Sequence, residues 1–362
     1  MCRFSGIMEA QYQKEEKNME KFTISRDDSV YEAFPDVALT KSGKLVCVFT
    51  ECNHHADRKN SRIVLKTSCD RGRSWTEKRP LTERSNGGMY HNCARISRLS
   101  DGRLAILCDM INGENHADFG GTAIKLWLSA DEGESWSEPI IIPGAHGIVP
   151  DRLVELKSGR WLVSAHRPSA EHGKLAEYLR YSDDQGKTWS DEVIVASDAR
   201  YNLCEASLLE VAPDTVVAYL RENSVMGYDC LKAISRDGGR TWNGVYNVPL
   251  PGCHRPTVGF LRDGRILITY RFMQGGKGWL GTLYQNTFGA ILPPESALAE
   301  KRNDQWARIF PIDFDRSHVS DSGYTGWVQF DDGEIYVVNY IVDDSPKAFI
   351  KGYSFRAEEF LI

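Results

Sequence analysis

The sequence predicts an all-β fold, a six-bladed β-propeller of four-stranded antiparallel blades with aspartate-box turns, and two interleaved repeats predict it. The octapeptide Ser-x-Asp-x-Gly-x-(Ser/Thr)-Trp recurs at Ser68–Trp75, Ser129–Trp136, Ser182–Trp189 and Ser235–Trp242. Its copies start 61, 53 and 53 residues apart, a period that suits four strands per repeat and exceeds the helical repeats. The second repeat is an apolar strand, a tight turn and another apolar strand, marked by Gly43, Gly102, Gly159, Asp214, Gly264 and Gly333. One hairpin per blade gives six blades.

Each part of the octapeptide suits a hairpin. The Asp accepts from nearby backbone N–H groups, the Gly supplies a positive φ, and the Trp packs back between neighbouring sheets. These turns belong on outer hairpins and carry no chemistry. The last two blades have lost the box, with the loop Gly275-Gly-Lys-Gly-Trp279 and an insertion around Pro293 to Trp306 in its place. The glycine loop lacks the Walker spacing and the following Ser or Thr, so it reads as a flexible loop rather than a phosphate cradle.

A repeat array lets one domain reach 362 residues, with 41% hydrophobic residues for the cores. The domain is expected over residues 21–362, preceded by a tail of residues 1–20 whose polar run from Glu9 to Glu20 is a short helix or disordered. The tail has no apolar run of the signal-peptide kind, and no segment reaches transmembrane length. Nine cysteines, scattered without a C-x-x-C pair and several of them inside apolar strands, read as reduced core thiols and point to the cytoplasm. A net charge of −6 with no basic stripe argues against nucleic acid as a partner. The histidines share no ligand spacing, so neither a metal nor a cofactor is expected.

In an antiparallel hairpin the start of the first strand and the end of the second lie opposite the turn, so residues about nine before and about seven after each turn mark share one rim. The entry side reads Phe34-Pro-Asp36, His91-Asn92, Pro150-Asp-Arg152, Glu205, His254-Arg255 and Tyr324. The exit side reads Thr50-Glu51, Asp109, His166-Arg167, Arg221, Arg271 and Tyr340. Polar and aromatic residues concentrate there while their strand neighbours are Leu, Val and Ile. Several arginines converging on one channel call for an anionic ligand, because like charges repel in a low dielectric. The ligand chemistry that fits is a carboxylate.

These residues resemble those of the sialidase (neuraminidase) superfamily, six-bladed propellers whose bacterial members carry aspartate-box repeats. The resemblance spans about Ile24 to Tyr353. It implies a glycoside hydrolase that removes a terminal carboxylate-bearing sugar, sialic acid or a relative, from an oligosaccharide or glycoside by a retaining mechanism. Glu205, with Arg221 sixteen residues later, looks like the family's glutamate and second arginine, and Tyr324 looks like its nucleophile. Asp57, on the loop His54-His-Ala-Asp-Arg58, falls where the family has its general acid/base. Arg271 is the natural third arginine, with Arg255 as competitor. The family opens its first inner strand with Arg-Ile-Pro, whereas this chain has Ala33-Phe34-Pro35, so one clamp arginine is missing and Arg152 or Arg255 is left to substitute. Asp36 and His91 complete the candidate substrate-binding set. Two other readings stay open: a propeller lyase or glycosidase acting on uronate-containing oligosaccharides, in which arginine neutralises the carboxylate while Tyr or His abstracts the neighbouring proton, and a glycan-binding propeller without catalysis.

Overall fold

The computed structural model describes residues 19–115, 118–273 and 284–360. Residues 1–18 of the expected tail and the Gly275–Trp279 loop lie outside the described residues. Among those described, the strands form six antiparallel sheets of four. Each of the first five blades runs outward in chain order; blade one, for example, is Tyr31–Leu39, Leu45–Cys52, Arg62–Ser68 and Arg79–Pro80. Blade six begins with Ser322–Gln329, Ile335–Ile341 and Phe349–Phe355 and takes its outer strand, Glu20–Ser25, from the other end of the chain. That strand starts one residue earlier than the expected boundary and closes the ring.

The turn chemistry follows the sequence. Gly43, Gly102, Gly159, Gly264 and Gly333 have φ between 87° and 98°, and Asp214 takes φ 57° where the glycine is missing. In the first box Ser68 Oγ donates to Asp70 Oδ1 at 2.8 Å and accepts from the Gly72 N–H at 2.8 Å, while the Ser74 N–H donates to Asp70 at 2.9 Å. A side chain at Gly72 would collide with the ring of Tyr336 in blade six. The other three boxes repeat these bonds between the third and fourth strands of their blades. In blade five the box gives way to a short helix, Pro294–Leu298, whose Ser296 and Ala297 carbonyls each accept from the buried Lys232 Nζ at 2.9 Å.

The apolar cores lie between blades rather than within them. Val46 and Ile63 of blade one meet Ile96 and Ile106 of blade two, and equivalent clusters fill the other gaps. Each box Trp is wedged into one of these clusters, Trp75 beside Tyr336 at 6.2 Å and Trp136 against the core shared by blades one and two. The expectation of core thiols holds for seven of the eight described cysteines, which are buried; Cys69 is exposed.

The innermost strands share one irregularity. In five of the six blades, at the same register, two residues face one on the partner strand, between Ala33 and Asp36, His91 and Ala94, Cys204 and Ser207, His254 and Thr257, and Gly323 and Gly326. The first bulged residue takes a left-handed conformation in Phe34, Glu205, Arg255 and Tyr324, and Val149 does so at the matching place in blade three, with φ of 50° to 57°. Such a φ costs a non-glycine residue on the order of 1 kcal/mol or more, and the bulge re-aims its side chain.

The ring depends on its closing strand. Glu20–Ser25 covers the edge of Phe349–Phe355, Ile24 is buried and Phe22 stacks on Tyr336. Deleting residues 20–25 is expected to cost on the order of 3 kcal/mol in apolar burial and to bare a strand edge. Urea unfolding should shift to lower denaturant and light scattering should rise; an unchanged midpoint would show that the ring closes without it.

Candidate active site

Asn92, Glu205 and Tyr324 reach the end of the channel from their bulges, Val149 reaches it from the matching place in blade three, and the residues paired just before the bulges in blades four and five are Arg221 and Arg271. The result is a cavity of about 220 Å³ whose described lining includes the polar residues Glu205, Tyr324, His55, His166, Asn92 and Asn223. Arg58, Arg221 and Arg271 supply its cations, and Phe119, Ile148, Val149 and Leu175 form an apolar wall.

Glu205 and Tyr324, 119 residues apart, meet inside it: the Tyr324 hydroxyl donates to Glu205 Oε1. Arg221 Nη1 donates to both carboxylate oxygens at 2.8 and 2.9 Å, and its Nη2 donates to Asn223 Oδ1 at 2.6 Å. Arg271 Nη1 donates to Gln285 Oε1 at 3.0 Å and its guanidinium lies 5.1 Å from the centre of the Tyr324 ring. The Nε atoms of Arg221 and Arg271 are buried and have no hydrogen-bond partner among the described residues.

Two opposed shifts follow from this packing. Burial pushes the Glu205 pKa up, but Arg221, Arg271 and Arg255 outweigh it and hold the carboxyl far below the usual range. Burial and the neighbouring carboxylate push the Tyr324 phenol well above its ordinary value, against the pull of Arg221 and Arg271. At neutral pH the pair is therefore an ionised carboxylate beside a protonated phenol. His166 accepts the Glu205 N–H on Nδ1 at 3.3 Å, and burial drops its pKa to about 4. Its neutral ring thus carries its proton on Nε2, a donor.

The structure brings Glu205, Tyr324, Arg221 and Arg271 together and places the other candidates elsewhere. Arg255 is fully buried beneath the site, donating to the carbonyls of Pro150 at 2.9 Å and Ala206 at 3.3 Å, so it braces the bulges instead of facing the cavity. Asp36 and Arg152 bind each other, Arg152 Nε donating to Asp36 Oδ2 at 2.9 Å, with Arg95 Nε 3.2 Å from the same oxygen. Arg95, 1% exposed, also reaches Thr325 O and Thr257 Oγ1 at 3.1 Å, so this cluster ties blades one, two, three, five and six together across the axis. His91 is buried against Trp127 and does not line the cavity. Asp57 is exposed on its loop and accepts from Asn53 Nδ2 at 3.0 Å; its loop neighbours His55 and Arg58 line the cavity instead.

Arg58 and His55 are the residues that sequence reasoning missed. Arg58 lies 5.7 Å from the centre of the Phe34 ring, over the blade where the first clamp arginine is lacking, and donates to Asn92 Oδ1. The signal was the loop His54-His-Ala-Asp-Arg58, in which four ionisable side chains offer no periodicity to say which of them turn inward. A larger cavity, about 870 Å³, includes Arg152, Arg71, Arg262 and Asp331 in its lining. Three of its arginines are already paired, Arg71 with Asp332 and Glu334, Arg262 with Asp331 and Arg152 with Asp36, and its described lining has no tyrosine.

Residues 94–337, more than half of the chain, match the BNR repeat-like domain. The chain belongs to the BNR repeat-like family, and its six blades place it among the propellers of the sialidase superfamily. A sialidase of Paraclostridium sordellii is 26% identical over 216 residues, 50% of this chain and 52% of that protein, so the chain spans about half the length of the curated relative it matches. A protein of unknown function from Dyadobacter fermentans superposes with a TM-score of 0.74 at 25% identity, covering 92% of this chain and 97% of that one. Trypanosoma rangeli sialidase, solved with 2,3-difluorosialic acid as a covalent intermediate, gives a TM-score of 0.65 at 16% identity and shares the fold, covering 94% of this chain and 59% of its own. For this BNR repeat-like propeller, the ion pair at the cavity floor sets a stability test. Glu205→Gln leaves Arg221 buried without its counter-charge, an expected loss of about 3 kcal/mol near neutral pH. A depressed carboxyl pKa stabilises above the unfolded value of about 4.3, and that contribution is lost as pH falls through the folded value. The wild-type advantage in urea unfolding should therefore be level from about pH 7 to 5 and shrink below about pH 4; a pH-independent difference would contradict the ion pair.

Proposed function

We propose that this propeller is a sialidase-like glycoside hydrolase that removes a terminal carboxylate-bearing sugar by a retaining mechanism. The observation that carries the reading is the Tyr324–Glu205 hydrogen bond inside a ring of three arginines. A binding site needs no general base beside a buried phenol, whereas attack by tyrosine does. The similarity to a sialidase of Paraclostridium sordellii supports the same class.

In this reading Arg58, Arg221 and Arg271 take the sugar carboxylate, and the buried unpaired Nε atoms of the last two are donors awaiting an acceptor. With the carboxylate neutralised, the anomeric carbon lies over Tyr324. The phenol attacks as a neutral group and passes its proton to Glu205 while the anomeric C–O bond breaks and its electron pair leaves on the aglycone oxygen, so the nucleophile meets an anionic sugar without charge repulsion. The glycosyl-tyrosine is then hydrolysed and Glu205 returns the proton. The apolar wall of Phe119, Ile148, Val149 and Leu175 suits a carbon substituent of the ring, and His166 Nε2–H suits a hydroxyl.

A second reading, β-elimination on a uronate, draws on one observation: the neutral His166 at the cavity wall. The two separate by product. A hydrolase releases the free sugar and aglycone; a lyase releases an unsaturated uronate that absorbs in the ultraviolet.

A panel of aryl sialosides, aryl uronides and uronate oligomers is expected to show aryl glycoside hydrolysis without the unsaturated product. Tyr324→Phe should abolish nearly all turnover, a loss on the order of 5 kcal/mol of transition-state stabilisation. Arg271→Lys keeps the charge but not the planar fork, and should raise KM about thirty-fold, or ~2 kcal/mol. Unchanged turnover in Tyr324→Phe, or ultraviolet-absorbing product from the uronates, would overturn the proposal.

A further inference from the structure

The retaining reaction proposed above needs a group that protonates the departing oxygen, and the loop at residues 53–60 offers two candidates. Asp57, the expected one, is exposed and bonded to Asn53. His55 is buried, only 4% exposed, and lines the same cavity as Tyr324 and Glu205. Its ring stands edge-on to Phe34, with centroids 5.1 Å apart at 86°, and lies 6.4 Å from the rings of both Tyr31 and Tyr340.

The ring is oriented by a carboxylate. His55 Nδ1 is 2.6 Å from Asp321 Oδ2, and Asp321 is itself fixed by the Tyr340 hydroxyl at 2.8 Å, by the Tyr31 hydroxyl, and through its own N–H by Asp315 at 3.0 Å. Asp321 thus commits Nδ1 and assigns proton exchange to Nε2, the logic of an Asp–His pair. We infer that His55, held by Asp321, is the general acid/base of this site in place of the loop aspartate. This rests on the hydrolase reading given above.

The proton balance closes. As the Tyr324 oxygen bonds to the anomeric carbon, its proton goes to Glu205; the anomeric C–O bond breaks, its electron pair goes to the leaving oxygen, and that oxygen takes the Nε2 proton of His55. In the second half neutral His55 takes a proton from water as the water oxygen attacks the anomeric carbon. The bond to tyrosine breaks with its electrons on the phenolic oxygen, and Glu205 reprotonates it.

The charges around the ring add a pH signature. Burial lowers the His55 pKa, Asp321 raises it, and Arg58 and Arg271 lower it, leaving it below the ordinary value; Tyr31 and Tyr340 face it as neutral phenols. Two of the cations that depress it are those proposed to bind the substrate carboxylate. Substrate binding neutralises them, so the ring charges more readily in the complex. The rate is lost as pH rises through this pKa, and the pKa read from kcat lies above the one read from kcat/KM.

The test compares wild type, His55→Gln and Asp57→Asn on two glycosides of one carboxylate-bearing sugar, a nitrophenyl glycoside that leaves without help and a methyl glycoside that needs a proton. His55→Gln should lose about a hundredfold on the methyl glycoside, less than tenfold on the nitrophenyl one, and its alkaline limb below pH 7; Asp57→Asn should change both little. If His55→Gln does not fold, Asp321→Asn, which keeps the ring and frees its tautomer, carries the same comparison. Equal losses of His55→Gln on both glycosides, no loss, or the leaving-group pattern in Asp57→Asn would overturn the inference while leaving the hydrolase reading intact. Failure of the wild type on every nitrophenyl glycoside would instead remove the hydrolase reading and this inference with it.

Discussion

The site hangs on the bulge that interrupts five of the six innermost strands. Two residues against one place Glu205 at φ 50° and Tyr324 at φ 56°, values that an L residue holds only when its surroundings leave no alternative. The surroundings here are ladders on both sides of each bulge: Cys204 pairs Arg221 and Ser207 pairs Tyr219, Gly323 pairs Tyr340 and Gly326 pairs Val338. Strain held by the sheet is what turns a carboxylate and a phenol, from blades four and six, toward the same point on the axis. The arginines come from the same device, since Arg221 and Arg271 occupy the paired position immediately before their blades' bulges.

Beneath that point the channel is filled with charge in a form that cancels. Asp36 lies between Arg95 and Arg152, and Asp151 accepts the Leu208 N–H at 2.7 Å beside the buried Arg255. Burial pushes the Asp36 carboxyl up, but the two arginines outweigh it and keep it ionised. Removing one member of such a set exposes the others to an uncompensated charge in low dielectric. Above it the balance is different: the lining sets three arginines against one glutamate, with His166 neutral, and the ionised Asp321 behind His55 offsets only one more, leaving an excess of positive charge that an anionic ligand would complete.

The fold was legible because its signals are local. A Ser-x-Asp-x-Gly turn needs only its own eight residues to form, and Gly43 or Gly264 announces a positive φ wherever it stands. Glu205, Tyr324, Arg221 and Arg271 were reached by counting from those turns. Counting fails one or two residues further on, because a bulge shifts the side-chain phase and nothing in Ala33-Phe34-Pro35 or His254-Arg255-Pro256 announces one. Asp36 was counted into the rim and lies below it for that reason, bound to Arg152; Arg255 stands at the register of Glu205 and Tyr324, but its guanidinium is drawn down onto the carbonyls of Pro150 and Ala206. His55 and Arg58 escaped for another: an irregular loop has no period, and only the partners Asp321 and Asn92, distant in sequence, show which of its side chains turn inward.

Covalent trapping reads the roles of Tyr324 and Glu205 on the same molecule. A fluorinated, carboxylate-bearing sugar with an activated leaving group should acylate nothing and instead leave a glycosyl adduct that slows hydrolysis enough for peptide mass spectrometry to place it. An adduct on Tyr324, absent from Glu205→Gln under the same exposure, is the result this account predicts. An adduct on Glu205 or another carboxylate, or rapid turnover of the probe through no covalent species, would contradict it.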